Sequence, residues 1–327
     1  MTLNSLIRTM AAASRKAQRE SIKRQREYNK QLVLYAKQRA IQNAADEVDE
    51  YINRILVIKS MHHDCGDEWN WNNIKTTAPP LKPEYKNLNE VSASSDYANY
   101  KPGIFDKLFG RVEKIKSSLN DKVVLAKQKD EADYQNNVKK YEIAFREWQE
   151  LNNLASRILD GDINAYKLAI EQTDPFSEIM EIGSSISFNI ADSKQIEILL
   201  HVNSAQVIPS EEKTQLKSGK LSTKPMNKTK FNELYQDYVC SCVLRVAREV
   251  FALLPVEKAI ITAVGELLDT KTGYLEKQPI LSVLIPRATL DKLNLQFIDP
   301  SDSMKNFIHR MKFKKTSGFE PVEKIMV

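Results

Sequence analysis

Ten side chains in this sequence have types and spacings suited to holding phosphates. Arg8, Arg15, Arg19, Lys23, Arg26, Lys30 and Lys37 recur at intervals of three, four and seven. At 100° per residue they fall within an arc of roughly 80°. A helix through them carries a cationic stripe about 44 Å long. Such a stripe can neutralise several phosphates of a nucleic-acid backbone, with binding that weakens steeply as salt rises. Lys217, Lys220 and Lys224 form a second set, in a segment (residues 213–230) with six lysines, several Ser and Thr, and no acid. Point charges and backbone N–H groups let a loop of that kind hold phosphate. It is no P-loop, because SGKLST has one glycine before its lysine and lacks the GxxxxGK spacing.

A second chemistry needs carboxylates. Glu178 and Glu181 on a helix, then Asp192 and Glu197 on strands, follow an order that resembles the acidic residues of restriction-endonuclease-like cores. The resemblance implies a metal-dependent nuclease with Mg²⁺ as its cofactor. The chain departs from that pattern at the acid-x-Lys of the strand, since Glu197 is followed by Ile198 and Leu199. His62, His63, Asp64, Cys65, Asp67 and Glu68 are metal-ligand types, but adjacent histidines converge poorly on one ion and no second ligand pair accompanies them. They are read as polar residues at a helix end. No Ser-His-Asp pattern, zinc motif or dinucleotide glycine pattern is present. No metal and no cofactor are expected on the main reading.

Charge is divided unevenly. Residues 1–42 hold ten Lys or Arg against Glu20 and Glu27, while the other 285 residues hold 38 basic and 41 acidic side chains. A basic arm therefore joins a near-neutral body, and the arm calls for a polyanion. Nucleic acid is the first expectation and an acidic protein partner the second. The face opposite the stripe (Leu6, Met10, Ala13, Ala17, Tyr28, Leu32, Tyr35) is poor in large apolar groups, which disfavours a membrane surface. The Arg- and Ser-rich start has the look of an organelle transit peptide, but its stripe runs on into a regular helix. There is no secretory apolar core and no apolar run of membrane-spanning length. Three cysteines without framework spacing (Cys65, Cys240, Cys242) fit a reducing compartment, so a cytoplasmic, bacterial protein is expected.

The elements that must position these groups change character near residue 173. Before it, Ile41, Ala44, Val48, Tyr51, Ile55 and Ile58 alternate by three and four. A second seam runs from Phe105 through Leu108, Val112, Ile115, Leu119, Val123 and Ala126. It breaks at Asp130-Glu131 and resumes at Tyr134, Val138, Tyr141, Phe145, Trp148, Leu151, Ala155 and Ile158. Such seams predict long helices packed at coiled-coil geometry. They are joined by a connector (residues 61–102) whose prolines and aromatics suit packing on the helices. After residue 173, strands are predicted at 184–190, 195–202, 258–268 and 279–285, and a long helix at 231–254. Closing helices are predicted at 288–293 and 301–312, with a loop at 212–230. Glu233, Asp237, Ser241, Arg245 and Arg248 recur on one side of the long helix and are read as its solvent face. Cys240 and Cys242 are read as small core residues.

The fold class is therefore α+β. A basic amphipathic arm (1–42) leads into a long-helix, coiled-coil-like hairpin (43–173), and a C-terminal α/β domain (174–327) carries a small, mainly antiparallel sheet with a central long helix. The function expected is non-enzymatic: nucleic-acid binding or assembly, as a homo-oligomer, through the arm and the lysine-rich loop. The alternatives are the metal-dependent nuclease and a coiled-coil scaffold subunit of a larger complex.

Overall fold

The computed structural model describes residues 3–181, 184–202 and 207–326, with side chains from Gln25 onward apart from Arg26 and Glu181. The chain is a mixed helix and sheet protein with a long N-terminal helix and a C-terminal sheet region. It divides into two compact units. One is Trp69–Gln172; the other joins everything up to Glu68 with the chain from Thr173 onward.

Helix α1 (Leu3–Ser60) contains no Pro or Gly to interrupt it. Its seam is the side it buries, with Ala44 and Ile58 fully covered and Ile41, Val48, Tyr51 and Ile55 half-buried. A 3₁₀ turn at Met61–His63 ends the run.

The second unit contains α2 (Trp71–Thr76), α3 (Leu88–Asn99), α4 (Ile104–Leu108), α5 (Val112–Leu159) and α6 (Ile163–Thr173). The long connector runs antiparallel along α5. Asn152 Nδ2 donates to the Lys75 carbonyl at 2.7 Å, Trp148 Nε1 donates to the Thr77 carbonyl at 2.9 Å, and Tyr85 packs edge-on against Tyr134. The break in the α5 seam has a structural reason. Asp130 is buried and accepts the Glu90 N–H at 2.8 Å, the Asn89 N–H at 3.2 Å and the Asn89 amide, so it caps the first turn of α3 from a neighbouring helix. Burial alone would raise its pKa; the Glu90 and Asn89 hydrogen bonds outweigh it and hold the carboxyl below its ordinary value.

In the first unit the chain resumes with α7 (Ser177–Glu181), β1 (Ser185–Asp192) and β2 (Gln195–His201). A separate hairpin follows, β3 (Glu211–Gln215) and β4 (Leu221–Pro225), and then α8 (Lys228–Leu253). The remainder is β5 (Lys258–Leu268), β6 (Leu275–Pro286), α9 (Arg287–Leu290), α10 (Pro300–Ser303), β7 (Ile308–Lys314) and β8 (Gly318–Glu320). The sheet order is β1-β2-β5-β6-β7-β8; β2 and β5 are parallel and the other neighbours antiparallel. A parallel pair needs a crossover, which α8 supplies. Ile196, Ile198 and Leu200 of β2 and Ala259, Ile261 and Ala263 of β5 are buried, as is most of α8. Helix α1 packs on α8 and on the β3–β4 hairpin.

Two predicted elements differ. The segment 301–312 is not one helix: α10 and a 3₁₀ turn at Met304–Asn306 give way to β7. There His309, Met311 and Phe313 are half-buried while Arg310, Lys312 and Lys314 are exposed, the period-2 pattern of a strand. The lysine-rich loop is the β3–β4 hairpin. Among the described residues no helix is long and apolar enough to cross a membrane.

Candidate nucleic-acid interface

The β3–β4 turn is closed by Gly219 N–H donating to the Leu216 carbonyl (2.8 Å) and Leu216 N–H donating to the Lys220 carbonyl (2.9 Å). Gly219 has φ +81°, and a Cβ there would lie 2.7 Å from Ile41 Cγ1. Both its backbone and its contact with α1 therefore require glycine. Gln215 Nε2 donates to the Ile41 carbonyl (2.9 Å) and to the Gly219 carbonyl (3.1 Å), which fixes the tip against the helix. Lys213 pairs with Glu47 at 2.9 Å, Lys230 pairs with Glu212 at 2.8 Å, and the Arg54 guanidinium donates to the Val207 carbonyl. The hydrogen bonds to Glu47 and Glu212 raise the two lysine pKa values.

Two of the six lysines thus hold the hairpin in place. Lys217, Lys220 and Lys224 are exposed and make no ion pair among the described residues. The tip touches Ile41, one helical turn beyond Lys37 on the same face of α1. Lys30 and Lys37 are exposed as well. The side chains of Arg8, Arg15, Arg19, Lys23 and Arg26 lie outside the described residues. Two cationic segments nearly two hundred residues apart in sequence therefore meet on one helix face. Sequence reasoning missed Gly219, Gln215 and Arg54 as the groups that join them; the turn Ser218-Gly219 between two lysines was the available signal.

The polar stripe of α8 is not its solvent face. Asp237, Ser241 and Arg245 are buried, Glu233 and Arg248 are half-buried, and Glu249, one turn beyond Arg245, is buried as well. Apolar residues on every other side leave no alternative wall for the core, so the charges must be paired. Arg245 is paired with Glu249 (3.4 Å), with Glu178 of α7, and more distantly with Asp64 (4.0 Å). Glu249 also accepts the Gly66 N–H at 3.1 Å. Arg248 donates to the carbonyls of His62, His63 and Asp64, holding the 3₁₀ turn. Arg245, Glu249, Glu178, Asp64 and Gly66 line an open cleft of about 660 Å³ with His63, Cys65 and Asp174. Asp237 meets Lys59 at 3.4 Å; burial and the nearby Asp299 raise its carboxyl pKa.

The Ser241 hydroxyl accepts the His62 backbone N–H (3.0 Å) and lies 2.8 Å from His62 Nδ1. This pair is no nucleophile–base couple, because Ser241 is 0% and His62 1% exposed and no substrate reaches them. Burial, then His63 and Arg248, lower the His62 pKa to about 4. The thiols are equally unsuited to attack. Burial and Glu249 push Cys65 up to about 11, and burial pushes Cys242 up to about 12 and Cys240 well above its ordinary value.

Three of the four carboxylates of the nuclease pattern have described side chains. Glu178 is engaged with Arg245, Asp192 accepts the Lys194 N–H in the β1–β2 turn, and Glu197 is exposed on β2 opposite Asn189 and Ile260. The Glu181 side chain lies outside the described residues. Among the described residues no three His, Cys, Asp or Glu side chains come together as a metal site. No protein-family model matches the chain, and comparison with curated proteins and with solved structures gives no match.

Proposed function

We propose that this protein binds nucleic acid, without catalysis, along a track formed by the α1 stripe and the tip of the β3–β4 hairpin. The observation that carries the reading is the seat of Gly219 on Ile41, which sets Lys217 and Lys220 beside the end of the arm that carries Lys30 and Lys37, with Lys224 further down β4 opposite Glu212. Cations that bind a polyanion jointly must share a surface, and unpaired lysines are the ones able to release phosphate counterions. The lysine point charges position a backbone and read no bases, so the reading is of sequence-independent binding.

The test compares full-length protein with K217A/K220A/K224A and with K30A/K37A on labelled duplex DNA, single-stranded DNA and RNA. Both variants should bind more weakly, and the loss should be greatest at low salt. Unchanged affinity in both would remove the track. The finer architecture, a homo-oligomer whose long helices carry coiled-coil-like seams, belongs to the same proposal. The three-four spacing of both seams supports it, and analytical ultracentrifugation of the full chain tests it, a monomer at every concentration removing it.

A further inference from the structure

Four large apolar side chains stand uncovered within six residues at the turn between α3 and α5: Ile104, Phe105, Leu108 and Phe109 are 84, 74, 74 and 62% exposed. Water contact on this scale is costly for a helix of only five residues, which has no other apolar face to hide. The chain holds the turn in shape. Asp106 accepts the Gly103 N–H at 3.0 Å and the Tyr100 hydroxyl at 3.2 Å, so its charge is tied back into the cap of α4. Lys101, Lys107, Arg111, Lys114 and Lys116 flank the apolar group in sequence, all of them exposed, and Arg111 lies 5.5 Å from the centre of the Phe109 ring. Residues 101–116 hold these five cations against Asp106 and Glu113. The turn caps one end of α5, about 60 Å along the helix from Asn152.

We propose that this turn inserts into an anionic lipid surface. The exposures describe a protruding tip, not a groove, and a soft interface accepts a protruding apolar wedge without a shaped partner. The flanking cations then lie at headgroup depth, where anionic lipids attract them. The N-terminal arm also exposes Leu32, Val33, Leu34 and Tyr35 beside Lys30 and Lys37, so the test changes the turn alone and leaves the arm intact. The proposal is independent of the nucleic-acid reading, because it rests on the other unit of the chain.

The experiment is co-sedimentation of the full chain with vesicles of phosphatidylcholine, with and without phosphatidylglycerol. Wild type and F105S/F109S are compared, and each is also assayed for DNA binding. Both phenylalanines are exposed, so the variant should fold as wild type does, which circular dichroism checks. The expected result is sedimentation with the anionic vesicles, at least about tenfold weaker partitioning for F105S/F109S, and DNA binding unchanged between the two. Equal partitioning of both proteins would assign any lipid binding to the cationic arm and overturn the proposal. Absence of wild-type sedimentation would overturn it too, including where the tip instead captures a protein.

Discussion

Removing Arg245 should destabilise one unit of this protein and leave the other nearly untouched. The Arg245 and Glu249 side chains are each only 7% exposed, whereas Glu178 and Asp64 are 71% and 77% exposed. In Arg245→Met the two exposed carboxylates gain water, but Glu249 keeps a buried charge with only the Gly66 N–H and the Cys65 thiol as partners. Breaking a buried pair from one side costs about 3–5 kcal/mol. The retained Gly66 hydrogen bond argues for the lower end, about 3 kcal/mol, which is roughly 1 M in urea midpoint at a slope near 3 kcal/mol per M. The assay can separate the units, because Trp69, Trp71 and Trp148 all lie in Trp69–Gln172 while Arg245 lies in the other unit. Urea unfolding followed by far-ultraviolet circular dichroism should show the early loss; tryptophan fluorescence should keep its midpoint. Adding Glu249→Leu should recover part of the loss, since it removes the stranded charge. A midpoint shift corresponding to less than about 1 kcal/mol in Arg245→Met, or no recovery in the double variant, would refute the account of the α8 stripe.

Three further outcomes follow from the geometry. His62 has a folded pKa of about 4, below its ordinary 6.5, so the unfolded chain binds the extra proton between those values. Its contribution is complete above pH 6.5 and is lost as pH falls toward 4, by about 3 kcal/mol in all. Unfolding free energies of wild type and His62→Gln, measured from pH 7 to pH 4, should therefore converge as pH falls; parallel curves would be inconsistent with a buried neutral imidazole. Gly219→Ala forces a side chain into left-handed backbone, at about 1–2 kcal/mol, and presses its Cβ on Ile41. Amide exchange across residues 216–220 should then speed up about tenfold or more, and an unchanged rate would mean that the hairpin is not held as described. F105S/F109S should leave DNA affinity intact while weakening vesicle binding.

How far the sequence revealed this arrangement depended on whether a segment's pattern had one cause or two. The α1 seam had one cause, burial of a single face, and Ile41 to Ile58 are the covered positions. Its partner could not be read: the residues that cover it come from α8 and the β3–β4 hairpin, far along the chain. The strands of the central sheet were legible because β2 and β5 are continuous β-rich runs between turn signals. The helix at 301–312 failed because Met304, Ile308 and Met311 mimic a three-four period, while the alternation of His309, Met311 and Phe313 with basic residues was the signal that governed folding. The hairpin was hidden because its strands hold few apolar residues, and its docking relies on Gln215, Lys213 and the missing side chain of Gly219. The α8 stripe was misread for a related reason. Spacing alone does not distinguish a wet polar face from a buried one whose partners, Glu178 and residues 62–66, arrive from elsewhere. The cationic residues proposed to hold phosphate were visible from composition; the seat of the hairpin tip on α1 was not.

The most direct test of the central claim is the salt dependence of duplex-DNA binding by wild type and K217A/K220A/K224A. Each phosphate contact contributes about −0.9 to the slope of log affinity against log salt. The account predicts a steep wild-type slope that becomes shallower by about 2 to 3 in the hairpin variant, at unchanged fold. An identical slope in the two proteins, or no wild-type binding at low salt, would contradict it.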